Sequence, residues 1–600
     1  MKKKEKLSGV SILFGITFIA PVTYSIKAYE MDVVQRMFFF VTSILLFLVY
    51  LRSCRIDEKI SINKLLFIFI IIFPFTFITS FFNGSSSLLL LQLSDLIIPI
   101  SILLQSTLLF LILGEERFFK VVSISVVIVS AIFSFIGVLE VFQIKIIDLP
   151  TVIAPGSTLG HRSFAAEFLL PSLPFLLILR EYVPVKKRIY LVVPAILNVS
   201  FLLFTRNRSG IIILAVLLML YIFFVVLKKE RGTRFKTLTP VLGIILISFL
   251  ISFIPVKGTE RPDLESTAST VFDTEYKSNM LRLSFWDASL QMVRENPIAG
   301  IGLFKWSGYY PKYNRDYFTD ETVTHIHSIH SHNDFLELFA ENGILSSLIF
   351  LLIYVSITMT LLKRTRFNQK YFYFLLTFLA TFAYSLVAFP NHKFASYFLC
   401  CVIAGTALLK LNETESNSIS LNFNYLKWGL LISLILGGVT SYIKIRSEFS
   451  FGEAMFLKTR SQYPMMFEKL GNVSEIFYPY DTSKQPVDYY RGIANSFMGK
   501  FPEALKDNLS GKELAPYNPT IMRNIASSYY SMKKYDKTIE QLEKIKTIFP
   551  NYIAPQYNLL EMYVETKQEE KAISLYSELE KKVPESPVLL EFQKRYNLRR

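Results

Sequence analysis

The sequence predicts an all-α protein: a polytopic transmembrane helix bundle of about 12–13 spans over residues 1–445, then an α-solenoid of helical repeats over residues 446–600. Three observations predict it. The chain is 52% hydrophobic and only 19% charged, below the roughly 25% typical of soluble domains. Apolar runs near the ~20 residues needed to cross about 30 Å of hydrocarbon recur along the first three quarters. A 34-residue period then takes over in the last quarter.

In order, the apolar runs are Ser8–Tyr24, Val33–Tyr50, Leu65–Phe82, Leu93–Leu113, Val121–Phe142, Ser163–Leu179, Ile189–Phe204, Ile211–Leu227, Leu238–Ile254, Ile344–Leu362, Tyr371–Ala388, Ser396–Leu411 and Trp428–Tyr442. The basic start, Met1-Lys-Lys-Lys-Glu-Lys, lacks a small-x-small cleavage site after it, so the first run is expected to stay as an uncleaved span. A formal charge of +16 suggests nucleic-acid binding until the charges are placed. Most Lys and Arg form short clusters between apolar runs, not one stripe, which excludes that class. Cys54, Cys400 and Cys401 show no metal-ligand spacing, so neither a disulfide framework nor a zinc knuckle is expected.

With the amino terminus cytoplasmic, the basic clusters at Arg52–Lys59, Arg117–Lys120, Lys186–Arg188, Lys228–Lys236 and Lys363–Lys370 all face the cytoplasm. The six histidines, His161, His325, His327, His330, His332 and His392, then fall in outer loops. So do Arg162, Arg206, Arg208 and Arg282. Ionisable groups gathered on one membrane face point to a site there. The outer loop at 255–342 is too long for a simple connection and is expected to fold over the bundle. Glu30-Met-Asp32, in the first outer loop, reads as ordinary loop charge, since no second carboxylate cluster follows it.

In the tail, Pro516, Pro550 and Pro584 keep the 34-residue step, as do Ala504, Thr538 and Ala572, and Phe501, Tyr535 and Glu569. Small residues at helix contacts and a closing proline are the tetratricopeptide (TPR) pattern. The repeats are expected at about 488–516, 517–550 and 551–584, with a degenerate pair around Phe451–Val473 as adaptor.

The chemistry-bearing stretch is His325-Ile-His-Ser-Ile-His-Ser-His-Asn-Asp-Phe-Leu-Glu-Leu-Phe-Ala-Glu-Asn-Gly343. It resembles the signature of the O-antigen ligase and polymerase family, with His332-Asn333 as the His-Asn pair and Glu341-Asn342-Gly343 as the turn. Asn296-Pro-Ile-Ala-Gly-Ile-Gly302 resembles the family's Pro-x-x-Gly-x-Gly segment. Arg282 with Trp286 matches its Arg-x-x-x-Trp element, and Thr205-Arg-Asn-Arg-Ser-Gly210 its arginine motif. Gly156-Ser-Thr-Leu-Gly-His161-Arg162 departs from the family pattern, carrying His and Arg where amides are usual.

The resemblance implies transfer of a glycan from an undecaprenyl-diphosphate carrier to an acceptor hydroxyl at the periplasmic face of the bacterial inner membrane, in lipopolysaccharide or surface-polysaccharide biosynthesis. A diphosphate leaving group needs fixed cations, for which Arg208 and Arg282 are the candidates. An acceptor hydroxyl needs a base, for which His332 is the candidate. Arg206, Arg162, His161, Asn333 and His330 are expected to contact substrate. The acceptor is left open between lipid A-core (ligase), another glycan unit (polymerase) and a protein hydroxyl, and the tail is read as a docking point for a protein partner. The rival class, a lipid-linked oligosaccharide flippase, should show charges deep within spans and internal repeat symmetry, and neither is seen. The histidine spacing resembles metal-binding His-x-His pairs. No carboxylate or Cys cluster supports them in the sequence, and the resemblance implies metal-independent chemistry, so no metal and no cofactor are expected.

Overall fold

The computed structural model describes residues 2–53, 59–77, 86–255, 277–323, 328–411 and 418–596. It is all helical apart from one antiparallel pair, Lys59–Asn63 with Ser418–Asn422, in which Ser61 faces Ser420. Among the described residues nine helices are long and apolar enough to cross a membrane. They are Met31–Leu51, Leu88–Leu113, Glu115–Val141, Arg162–Tyr182, Val185–Phe204, Arg208–Lys228, Arg231–Ile251, Asp334–Arg364 and Phe423–Thr459. Every predicted apolar run lies on a helix, but Ser8–Val22, Lys64–Thr76, Phe394–Leu408 and Lys370–Ser385 are shorter than a full crossing. The last two are buried along almost their whole length, so neighbouring helices, not lipid, surround them. The chain is a multi-pass membrane protein.

Aromatic packing builds the bundle core: Phe39, Phe118, Phe119, Phe133, Phe175 and Phe374 are all fully enclosed. One network of buried charge is matched within itself, as a low-dielectric interior favours. Arg36 pairs with Asp95 at 2.8 Å and Asp32 at 3.3 Å, and Lys444 closes on Asp95 from the helix Phe423–Thr459. Asp32 also accepts the Phe394 amide at 3.2 Å. Asp32 is therefore not ordinary loop charge, as the sequence suggested. It caps the helix that starts just after Lys393.

The described part of the long segment before Asp334 lies against the bundle. Helix Lys277–Glu295 packs on Asp334–Arg364, and Trp306–Tyr313 lies beside both. Trp306 is 1% exposed and stacks on Tyr310, while its indole N–H donates to Ser289.

Helix Phe423–Thr459 runs without a break from the bundle into the carboxy-terminal helices. Three helical hairpins follow: Val487–Phe497 with Phe501–Leu514, Pro519–Ser531 with Tyr535–Ile548, and Ala554–Glu565 with Glu569–Lys582. The tight turns inside them pass through the left-handed region at Gly499, Lys533 and Lys567, so the periodic sequence repeats a backbone conformation at corresponding positions. These hairpins grip the segment between Gly308 and Val323. Phe318 and Val323 enter the same apolar cluster as Phe549 and Leu560, with the Phe318 and Phe549 rings 5.3 Å apart. Ala554 N–H donates to Asp320 at 2.9 Å, and Tyr517 N–H to the Gly308 carbonyl at 3.2 Å.

Phe318→Ala should therefore loosen the tail. Removing a buried Phe costs about 3–5 kcal/mol, so amide exchange across Tyr535–Ile548 should quicken while the helices of the bundle keep their protection. Unchanged exchange in that helix would show that the grip contributes nothing.

Candidate functional site

Two glycine contacts set the floor of the site. Gly343 breaks the helix Asp334–Arg364 at φ 76°, and a Cβ there would stand 1.8 Å from the Ile298 carbonyl oxygen. Gly300, at φ 69°, approaches the Glu341 carbonyl so closely that a Cβ would sit 2.1 Å away. Only glycine tolerates both the backbone sign and the approach. The interlock is closed by Ile301 N–H to Ala340 O (2.9 Å), Gly302 N–H to Glu341 O (3.0 Å) and Ile344 N–H to Pro297 O (3.0 Å). The Glu341 side chain accepts the Trp306 amide at 2.9 Å. Thus the Pro-x-x-Gly-x-Gly segment and the Glu-Asn-Gly turn, far apart in sequence, form one structural unit.

The histidine loop stands on that floor. Asn333 caps the helix, its side chain accepting from Phe335 and Leu336 amides, and its amide donates to the Leu386 carbonyl. Glu337 reaches back one turn: it takes the Ser331 amide at 2.7 Å and meets His330 Nδ1 at 2.6 Å. With its neighbours held, His332 adopts φ 56°, a conformation that non-glycine residues rarely take and that clusters at functional sites. Its ring stacks on Phe285 (5.8 Å between centroids) and meets the edge of Phe389 (5.0 Å).

Burial holds the His332 imidazole down to about 4, helped by the positive charge of Arg282 and opposed by Glu337. His161 is held down to about 4 by burial, with Arg162 and Lys393 adding to it. Burial also lowers the Arg282 guanidinium, Arg208 lowers it further, and Glu167 opposes both. His332, Arg282, Arg208, His161 and Glu167 therefore act on one another across a single region. Arg282 has no carboxylate within ion-pair distance among the described residues, and the charge of Arg208 acts on it. Arg206, at φ 51°, turns away: its guanidinium donates to the Ser252 carbonyl at 2.7 Å. Asn207 then caps the helix that begins with Arg208.

Arg162 opens its helix directly after His161, which accepts the Ser163 amide as the cap. His330 does not face open space; it is 4% exposed, stacked on Phe389 and 4.2 Å from the His392 ring. His325 and His327 lie outside the described residues.

Several site residues escaped the sequence reading. Glu167, 2% exposed, accepts from Ser396 at 2.9 Å; a lone carboxylate within an apolar run was the available signal. Lys393 lies over the Phe164 ring and acts on His161, His330 and His392. His392 Nε2 lies 3.4 Å from Glu337 and 3.7 Å from Asp334. The sequence showed no carboxylate cluster beside the histidines, yet the fold makes one. A helical turn returns Glu337 to His330, and a separate loop brings His392.

Residues 193–351, about a quarter of the chain, match the family model described as O-Antigen ligase. The match takes in Arg206, Arg208, Arg282, His330, His332 and Asn333, and leaves out His161 and Arg162. It supports a glycosyltransferase-like ligase or polymerase role in polysaccharide biosynthesis, with a lipid-linked glycan donor and an acceptor in general terms. No curated protein matches the chain.

Gly343→Ala should unlock the floor. Exchange at the Ile301 and Gly302 amides should rise at least about fivefold, a lower bound set by the ~1–3 kcal/mol cost of a strained backbone. Gly243→Ala, whose Cβ would meet nothing within 4 Å, should leave both amides unchanged.

Proposed function

We propose that the protein transfers a glycan from an undecaprenyl-diphosphate carrier to an acceptor hydroxyl at the outer face of the bacterial inner membrane, in the manner of an O-antigen ligase. The carrying observation is a buried His332, set between the Phe285 and Phe389 rings and acted on by the charge of Arg282, on which Arg208 acts in turn, within the segment that matches the ligase family. A neutral imidazole accepts the acceptor's hydroxyl proton as the new glycosidic bond forms. The bond from the sugar to the diphosphate breaks, and the two guanidinium groups offset the charge on the departing group. Phe285 and Phe389 hold the imidazole in position and exclude water.

His161 and Arg162 lie on the same side and are assigned to the diphosphate or the first sugar. Asn333 and His330 shape the loop from behind, and Arg206 sets the start of the helix that carries Arg208. The 34-residue periodicity and the helical hairpins support a TPR tail over 446–600, on the outer side with the loop it grips. Lipid A-core, a second glycan unit and a protein hydroxyl all suit a histidine base, so the acceptor is assigned only as a hydroxyl.

The test is complementation of surface-polysaccharide display with wild type, His332→Ala and Arg282→Ala at matched membrane levels. Both variants should insert normally and lose transfer, by about 10²–10⁴-fold for the base and about 10²–10³-fold for the cation, while lipid-linked donor accumulates on the outer leaflet. Full transfer by both variants would remove these residues from the site. Donor trapped on the inner leaflet of a deletion strain would mean a transporter.

The pH profile offers a separate check. The base works when neutral, so the wild-type rate should stay level above about pH 5 and fall as pH drops through about 4, where His332 takes up its proton. An acid limb near the free imidazole value, about 6.5, would rule out a desolvated base.

A further inference from the structure

We propose that His330, Glu337 and His392, with Asp334 as the fourth donor, form a binding site for a divalent first-row cation of the zinc class. This site is distinct from the transfer chemistry.

The donor atoms of His330, Glu337 and His392 all lie within 4.8 Å of one another. His330 Nδ1 is 2.6 Å and His392 Nε2 3.4 Å from the same carboxylate oxygen, Glu337 Oε1. Bonds of about 2.0–2.2 Å to a tetrahedral zinc put neighbouring donors roughly 3.3 Å apart, so these atoms need only a small adjustment. The Asp334 carboxylate supplies an independent observation. It is 4% exposed, and its Oδ2 is held by Asn391 through both the backbone amide and the side chain. Its Oδ1 has no hydrogen-bond partner among the described residues and stands 3.7 Å from His392 Nε2. His392 Nε2 thus points between two buried carboxylates, one of which presents an oxygen that nothing else satisfies.

Charge points the same way. Asp334 and Glu337 are buried one helical turn apart, and His392 Nε2 lies within 4 Å of both. Lys393 and Lys484 act on the His330 and His392 imidazoles but form no ion pair with either carboxylate among the described residues. Imidazole together with carboxylate suits zinc-class ions better than magnesium or calcium, which take all-oxygen sets.

Such an ion ties together two loops distant in sequence: the loop carrying His332, and the Pro390–His392 turn. Phe389 touches both the His330 and His332 rings, so the ion lies one aromatic ring from the base and holds its loop without touching substrate.

The experiment uses the full chain, purified in detergent without a polyhistidine tag, and reads metal content by mass spectrometry and by equilibrium dialysis against Zn²⁺. Wild type should hold close to one tightly bound ion per chain. Glu337→Gln and His392→Asn should each weaken binding by at least about tenfold, the lower end of the loss seen when even a supporting residue is removed. His325→Ala with His327→Ala should leave binding intact. A chelator should lower the thermal midpoint of wild type and leave that of His392→Asn where it is. Wild type that takes up no zinc, or takes it up only weakly at several sites, overturns the proposal even if the variants fail to fold. Binding lost with His325 and His327 instead overturns the ligand assignment. Since none of these readouts uses glycan transfer, the metal site and the transferase reading can fail separately.

Discussion

Glu337 lies at the start of a membrane-length helix and is 3% exposed, so its two oxygens must find partners locally. One turn of helix returns the carboxylate to the loop just before the helix, where it takes the Ser331 amide and the His330 ring. Asn333 fixes the same loop by capping the first turn. Between these two anchors His332 has little freedom left, which is how a residue at positive φ persists without being glycine. The placement of the base and its ring contacts follow from this local satisfaction of buried polar groups.

The surrounding bundle applies the same rule over longer distances. Asp32 caps the helix Phe394–Leu408 and is itself held by Arg36, which Asp95 and Lys444 complete. Lys393 is the residue before that helix, so a charge network in the membrane sets where a site cation stands. A third restraint comes from outside the bundle. The carboxy-terminal hairpins take Phe318 and Val323 into their own core, only a few residues before the histidine loop. The loop is therefore tied at its start by the tail and at its end by Glu337, above the glycine interlock.

Much of this was legible in the sequence where a local pattern carried the signal. Apolar run length gave the helices, and the 34-residue step gave the hairpins with their recurring left-handed turns. Gly300 and Gly343 were visible as motif residues, but their mutual approach through Ile298 and Glu341 was not, because nothing in either segment names the other. The same holds for His392, Lys393 and Asp32, whose roles arise from contacts with elements far from them in the chain. Span count suffered for a related reason. Run length reports apolarity, whereas Lys370–Ser385 and Phe394–Leu408 are apolar because protein encloses them, and so need not be long.

The grip of the tail on the loop bears on how the tail works. A helical array that captures an external peptide keeps an apolar face open for it. Here part of the tail's apolar core is already filled by Phe318, which is fully buried, and by Val323. The Asp320 carboxylate and the Gly308 carbonyl accept hydrogen bonds from tail amides, and Gly308 comes close enough that a Cβ would stand 2.8 Å from the Ala515 Cα. Contacts of this closeness in a polar, solvent-facing region restrict motion more than they add affinity. The segment just before the histidines is thus held by the tail, while Glu337 holds the histidines themselves from the bundle. A partner bound elsewhere on the hairpins would reach His332 through Phe318, by shifting a loop that the rest of the fold leaves little room to move.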